Sequence, residues 1–244
     1  MKLYIYSTWK TGSSFTNKFF KNICNESRIP FLFLPEKCNI GMINKFKKKN
    51  NNYVIFPNRV PPDKYLKNER YLIQLRDPRD ILVSAYFSVK YSHGYNLPES
   101  YYSDINKFIL ERSYIFVNRN KNLFDSLNYN SKYIFYEDMV CNFKFWANEI
   151  FDEFSINNNI RDKIINKFSK EFDSFPKENI HKHKRQMKPG DYKNKLSKET
   201  IFKINLILKD YIDFIDIVKN KNTNIIKYEE NKDYLWLYKD YVLT

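Results

Sequence analysis

Lys2-Leu3-Tyr4-Ile5-Tyr6-Ser7, followed after Thr8 by Trp9-Lys10-Thr11-Gly12-Ser13-Ser14-Phe15, is the stretch on which the rest of the chain turns. The first six residues read as a short buried strand and the next seven as a polar turn with one glycine. Phe15, Phe19, Phe20 and Ile23 then recur at helical spacing, which predicts a helix over 13–25. A strand that empties into such a turn and then into a helix is a candidate anion cradle. The first turn of a helix has N–H groups without intrahelical partners and the positive end of the macrodipole. Gly12 would let the backbone approach an anion closely, Ser13 and Ser14 can donate hydroxyls, and Lys10 adds a mobile charge. A nucleoside-triphosphate loop has its lysine directly after the last glycine. Here the lysine precedes the glycine of the turn by two residues, so this is not a Walker loop. An ordinary strand-to-helix turn with a capping serine accounts for the same residues equally well.

Composition bounds what such a turn could serve. A chain of 244 residues is long enough for one sizeable core, and one α/β domain over 1–244 is the economical reading, with 215–244 as a C-terminal tail packed on it. The formal net charge of +14 favours anionic partners: nucleotides, sulfated or phosphorylated substrates, nucleic acid or acidic lipid. Part of that charge, such as Lys47-Lys48-Lys49, reads as a solvated loop. Cys24, Cys38 and Cys141 lack the paired spacing of a zinc site and read as reduced, packed thiols. No run approaches the ~20 apolar residues of a membrane helix, and the first residues show no signal-peptide pattern; the expectation is a soluble cytoplasmic protein.

Beyond the opening turn the pattern alternates strand and helix. Strands are expected over 31–34, 53–56, 71–75 and 133–136. Helices are expected over 40–46, from Pro78 onward, and over 104–127, 142–154, 161–172 and 198–214, with a basic loop over 180–195. Such alternation predicts a central parallel sheet flanked by helices. The strand over 71–75 delivers Arg76 to its carboxyl end, where ligands bind in open α/β sheets. Asp77 suits the N-cap and Pro78 the first helical position; Ile81, Leu82, Ala85 and Val89 form the apolar face, and Asp80, Ser84 and Ser88 a polar stripe. Arg76 and Ser84 can therefore hold one phosphate between a guanidinium fork and a hydroxyl. A pairing of Arg76 with Asp80, leaving Ser84 solvated, fits the same spacing.

Three of these stretches together resemble the cytosolic-type sulfotransferases, which use 3′-phosphoadenosine 5′-phosphosulfate (PAPS) as sulfuryl donor. Trp9-Lys10-Thr11-Gly12-Ser13-Ser14-Phe15 is similar to that family's 5′-phosphosulfate loop, usually Pro-Lys-Ser-Gly-Thr-Thr-Trp. Arg76-Asp77-Pro78-Arg79-Asp80 through Ser84 is similar to its 3′-phosphate motif, with arginine and serine at the family's separation. Gly190-Asp191-Tyr192-Lys193-Asn194 is close to the Gly-Asp-Trp-Lys-Asn that ends its C-terminal nucleotide loop, and Tyr136-Glu137-Asp138 stands where the family has Tyr-Glu-Asp after a strand. The resemblance spans roughly residues 2–210 and implies a single P-loop-like domain.

The resemblance also implies roles. Lys10 would reach the bridging oxygen of the phosphosulfate, and the amides and hydroxyls of Thr11, Gly12, Ser13 and Ser14, with Phe15, would hold the 5′-phosphate. Arg76, Ser84 and Arg185 would bind the 3′-phosphate, Tyr136 the adenine, and Gln186 and Met187 would complete the nucleotide loop. The partner would be a small-molecule or glycan acceptor, with 3′,5′-bisphosphate (PAP) as product, and neither nucleic acid, membrane nor metal ion is called for. Two departures stand out. Gln186 and Met187 replace the usual Lys and Gly, with Lys184 and Lys188 as candidates to restore the charge. In Pro57-Asn58-Arg59-Val60-Pro61, Arg59 takes the place of the catalytic histidine in Lys-Thr-His-Leu-Pro, and an arginine is a poor base. His93 is then a catalytic candidate, with Asp63 and Glu69 as carboxylate alternatives. Two other readings remain open at this stage: a nucleotide kinase-like phosphotransferase, and a basic polyanion-binding module.

Overall fold

The computed structural model describes residues 1–34, 40–59, 61–62, 64–92, 98–173, 177–181 and 187–223. In chain order the elements are β1 (Lys2–Ser7), α1 (Ser13–Glu26), β2 (Phe31–Phe33), α2 (Ile40–Lys49), β3 (Tyr53–Asn58), β4 (Arg70–Leu75), α3 (Pro78–Phe87), α4 (Ile105–Asn120), β5 (Ser131–Phe135), α5 (Tyr136–Cys141), α6 (Phe143–Phe154), α7 (Asn158–Phe168), α8 (Tyr192–Lys195), α9 (Lys198–Ile207) and α10 (Lys209–Thr223). The five strands form one sheet in the order β2-β3-β1-β4-β5, every pairing parallel. This is the α/β architecture expected from the alternating pattern.

Alternation along each strand builds two layers. Leu3, Ile5, Val54, Phe56, Leu72 and Ile134 point into a core closed by α1, α5, α6 and α7. Tyr4, Tyr6, Ile55, Ile73, Leu75 and Phe135 point into the other, closed by α3, α4, α9 and α10. β1 lies at the centre because both its faces are apolar or aromatic, the composition a doubly covered parallel strand requires.

Several boundaries differ from the sequence expectation, each for a local reason. Lys47, Lys48 and Lys49 are not loop but the last turn of α2, where cations oppose the helix dipole, and Lys47 Nζ lies 3.0 Å from Glu69 Oε1. Tyr136 opens α5 rather than ending β5, with Glu137 and Asp138 in the first helical turn where carboxylates are favoured. The helix expected over 104–127 stops at Asn120, whose side chain donates to the Phe116 carbonyl at 2.8 Å, and continues as a 3₁₀ segment, Lys121–Asn128. The stretch 198–214 divides at the buried Leu208 into α9 and α10. Residues 224–244, most of the expected tail, lie outside the described residues. Among the described residues no helix is long and apolar enough to cross a membrane.

Glu69, a carboxylate candidate in the sequence, lies at the amino end of the sheet. Immediately before β4, it accepts hydrogen bonds from the hydroxyls of Tyr4 at 3.1 Å, Tyr71 at 3.2 Å and Tyr53 at 3.4 Å, in addition to its Lys47 contact. Lys10 follows the opposite, carboxyl end of the neighbouring β1. Six strand residues separate the two ends, about 20 Å, so Glu69 cannot serve as the base.

The aromatic layer under α1 sets the position of the opening turn. Phe19 is fully buried, with ring centroids 5.0 Å from Trp146, 5.6 Å from Phe168 and 5.7 Å from Phe143. Truncation to alanine opens a cavity that α1, α6 and α7 cannot collapse together. Phe19→Ala is expected to lower unfolding free energy by about 3–5 kcal/mol, read from the urea midpoint at unchanged slope. A loss below about 1 kcal/mol would show that this layer does not anchor α1.

Candidate functional site

The strand order places a ligand crevice. The chain leaves β1 toward β2 and β3 on one side, and leaves β4 toward β5 on the other, so the carboxyl ends of β1 and β4 flank the topological switch point. The two segments that emerge there are Thr8 to Gly12, after β1, and Arg76-Asp77, after β4.

Buried polar contacts hold the first segment from below. Thr11 is fully buried; its hydroxyl donates to the Thr8 carbonyl at 2.6 Å and lies 2.8 Å from Ser7 Oγ, while Gln74 Nε2 donates to the Thr11 carbonyl at 2.5 Å. Lys10 adopts a left-handed backbone at φ 62, a conformation that costs a non-glycine residue free energy and needs support. Arg76 supplies it, donating through Nη1 to the Lys10 carbonyl at 2.7 Å. The Lys10 side chain then reaches Ser88 Oγ at 2.5 Å, with its amine 5.2 Å from the Trp9 ring centroid. Ser88 begins a single π-helical turn, Ser88–Ser92, that continues α3; such turns are frequent at functional sites. Burial, reinforced by the nearby Arg59 and Arg76 charges, lowers the Lys10 ammonium to about 8.

Gly12 is the N-cap of α1 at φ 80, and its carbonyl accepts from the amides of Phe15 at 2.9 Å and Thr16 at 3.1 Å. A Cβ there would lie 2.7 Å from Met139 Cε and 3.2 Å from the Tyr136 ring. Glycine is therefore required here twice over, by the positive φ and because Met139 and Tyr136 occupy the space a Cβ would fill.

The polar stripe of α3 spans the crevice. Asp77 caps the helix by accepting from the Arg79 amide at 2.9 Å, and Pro78 occupies the first turn, as expected. Asp80 is not paired with Arg76: its carboxylate accepts from the amides of Gly190 at 2.6 Å and Tyr192 at 3.0 Å, tying the loop before α8 to α3. Burial raises the Asp80 carboxyl, and the Arg76 charge and those two amides work against the rise. Arg79 adds a second tie, forked on Asp77 and stacked 4.3 Å over the Tyr192 ring. With Asp80 at the Gly190 loop and Ser88 at Lys10, the half-buried Ser84 lies between them on one helix face.

The remaining sequence candidates fall as follows. Arg76 is 6% exposed, its guanidinium 4.1 Å above the Tyr136 ring, and its buried Nε has no hydrogen-bond partner. Ser13 is half-buried and Ser14 exposed at the start of α1. The Phe15 ring is inside the aromatic layer, 4.7 Å from Phe172, and Met187 is buried in the same layer. Tyr136 is buried between Arg76 and Gly12. His93, Arg185 and Gln186, with Asp63 and Lys184, lie outside the described residues. Asp80, Ser88 and Gln74 were not singled out as holding the site. The i, i+4, i+8 stripe marked Asp80 and Ser88 as facing one way but not what they would meet, and Gln74 read only as part of an apolar strand.

No model of a known protein family matches the sequence, and no curated protein matches it. Solved structures do. A mouse sulfotransferase, SULT7A1, complexed with PAP, superposes with a TM-score of 0.64 at 14% identity, covering 91% of this chain and 87% of that one. A retinol dehydratase in complex with retinol and PAP gives a TM-score of 0.57 at 16% identity, covering 93% and 83%. Retinol dehydratase with androsterone and PAP gives 0.53 at 13%, covering 93% and 82%. The chain thus has the fold of these PAP-bound proteins over almost its whole length.

Two glycines in this site share φ 80 but differ in surroundings, since a Cβ at Gly190 would meet nothing within 4 Å. Both alanine variants carry a backbone cost of about 1–2 kcal/mol. Gly12→Ala is expected to lose more than Gly190→Ala in urea denaturation, because Met139 and Tyr136 must also move. Equal losses would mean that the tight backing of the turn carries no energetic weight.

Proposed function

We propose that this protein is a PAPS-dependent sulfotransferase that moves a sulfuryl group to a hydroxyl or amine of a small-molecule or glycan acceptor. The observation that carries the reading is the convergence of Lys10, Arg59 and Arg76 at the β1/β4 crevice, close enough that they help depress the Lys10 ammonium. Clustered cations at the amino end of a helix are costly until an anion arrives. The orphaned Arg76 Nε and the amino end of α1, which no side chain caps, fit a phosphate-bearing nucleotide, and the fold likeness to PAP-bound proteins supports the choice of that nucleotide.

In this reading the donor supplies the sulfuryl group, and the chain's residues bind and polarise. The S–O bond to the 5′-phosphate breaks as a bond between sulfur and the acceptor oxygen or nitrogen forms, the acceptor's proton passes to a base, with His93 as the candidate, and PAP leaves. Lys10, steadied by Ser88, neutralises charge growing on the departing phosphate oxygen, and the amino end of α1 with Ser13 and Ser14 holds that phosphate. Arg76 and Ser84 take the 3′-phosphate. Thr11, Phe15 and Tyr136 act through others: Thr11 fixes the turn, Phe15 anchors α1, and Tyr136 stacks on Arg76. Arg59 stays protonated and takes no proton. The thiols of Cys24 and Cys141 are free, which suits a cytoplasmic setting.

Transfer of labelled sulfuryl from PAPS to an acceptor panel tests the proposal. Lys10→Ala is expected to lower kcat/KM by roughly 100- to 1,000-fold, and unaltered turnover would remove Lys10 from the mechanism. A pH series adds an independent readout. Below about 8 Lys10 is charged and matches the phosphate; above it the free protein must take up a proton to bind. Between about pH 7, where the PAP phosphates are already ionised, and about pH 8, PAP affinity is expected to be level, and above that to fall by up to about tenfold per pH unit, a break that Lys10→Ala abolishes.

A further inference from the structure

A shallow, open cleft lies beside the Trp9–Lys10 turn. Its apolar walls include Trp9, Leu82 and Phe116, and three arginines line it: Arg59, Arg112 and Arg119. We propose that this cleft receives the acceptor, and that the acceptor is an acid, a ring-bearing molecule whose carboxylate or sulfate is held by these three guanidinium groups. The inference rests on the sulfotransferase reading and names the substrate class for it.

Position connects the cleft to the transfer site. Trp9 is both a wall of the cleft and the ring against which the Lys10 amine rests at 5.2 Å. Arg59 directly follows β3, whose Asn58 is in register with Tyr6 of β1, so it emerges beside the same turn. Arg112 and Arg119 are seven residues apart on α4, two turns along one face and about 10 Å from each other along the axis. An acceptor ring in the cleft would thus have the Lys10 turn at one end and arginines around it.

Charge points to the class of acceptor. Arg70, Arg79 and Arg161 each pair with a carboxylate, on Glu153, Asp77 and Asp152. Among the described residues, Arg59, Arg112 and Arg119 have no carboxylate within 4.0 Å. Arg112 lies beside two rings instead, 5.1 Å from the centroid of Tyr101 and 5.5 Å from that of Phe108. Arg59 and Arg119 are exposed and Arg112 is half-buried, and a solvated, basic helix face accounts for Arg119 alone. It does not account for three from two parts of the chain lining one apolar-walled cleft. A neutral acceptor would leave the like charges facing each other, whereas an oxyanion neutralises them and matches the guanidinium fork.

Calorimetry on the full chain loaded with PAP tests this with two matched probe pairs: 4-hydroxybenzoate against its methyl ester, and p-nitrophenyl glucuronide against p-nitrophenyl glucoside. At least one acid is expected to bind about tenfold or more tightly than its neutral partner. The benzoate pair reports an aromatic acid and the glucuronide pair an acidic sugar. Arg112→Gln with Arg119→Gln is expected to bring acid and neutral probe to parity while the PAP affinity is unchanged. Neutral probes binding as well as the acids, no acid binding to the PAP-loaded protein, or a preference that survives the double variant would overturn the inference. Failure of PAP itself to bind would instead overturn the sulfotransferase reading.

Discussion

The hydrogen bond from the Arg76 guanidinium to the Lys10 carbonyl is the constraint on which the site depends. It joins the segments that leave β1 and β4, the two strands on either side of the switch point, and it supports a backbone conformation Lys10 would not hold unaided. With the carbonyl fixed, the side chain leaves the turn toward α3 and meets Ser88. Beneath it, Ser7, Thr11 and Gln74 form a buried polar floor, so the turn rests on strand residues rather than on solvent-exposed loop. Arg76 is in turn steadied by the face of Tyr136, and α5, which begins there, closes over Gly12.

How much of this the sequence discloses depends on the range of each contact. The strands, the Gly12 turn and the Asp77–Pro78 helix start are local patterns, and the structure places them where periodicity and capping chemistry put them. The site's ties are not local. Asp80 sits four residues from Arg76, which made an ion pair the obvious alternative, yet its carboxylate is taken by two amides over 100 residues away in sequence. The Thr11 hydroxyl, counted as an anion ligand, is turned inward because the neighbouring Thr8 carbonyl needs a donor. Glu69 looked available as a base until three tyrosines from three strands were seen to converge on it. The division at Leu208 was hidden because the apolar pattern continues across it.

The basic charge of the chain also separates into two kinds. Much of it is matched by acids across or along helices, as for Arg70 with Glu153, Lys132 with Glu149 and Lys203 with Glu199; exposed pairs of this sort contribute little to stability. The cations at the carboxyl end of the sheet are different, because burial and mutual repulsion work together on Lys10. A fold keeps such an arrangement at a cost, and a bound anion relieves it. In the proposed reading Arg59 fits this view, since it adds a fixed charge beside Lys10 where a histidine could have taken a proton.

On the reading proposed above, the crevice is built for phosphates at both the 3′ and 5′ positions of one nucleoside rather than for a 5′-triphosphate. Titration calorimetry of PAP against ATP, at one pH and one ionic strength, separates the two, since both ligands carry several phosphate charges and differ in where these sit. PAP is expected to bind more tightly, with Arg76→Ala removing most of the difference. Tighter binding of ATP would show that the crevice is a triphosphate site.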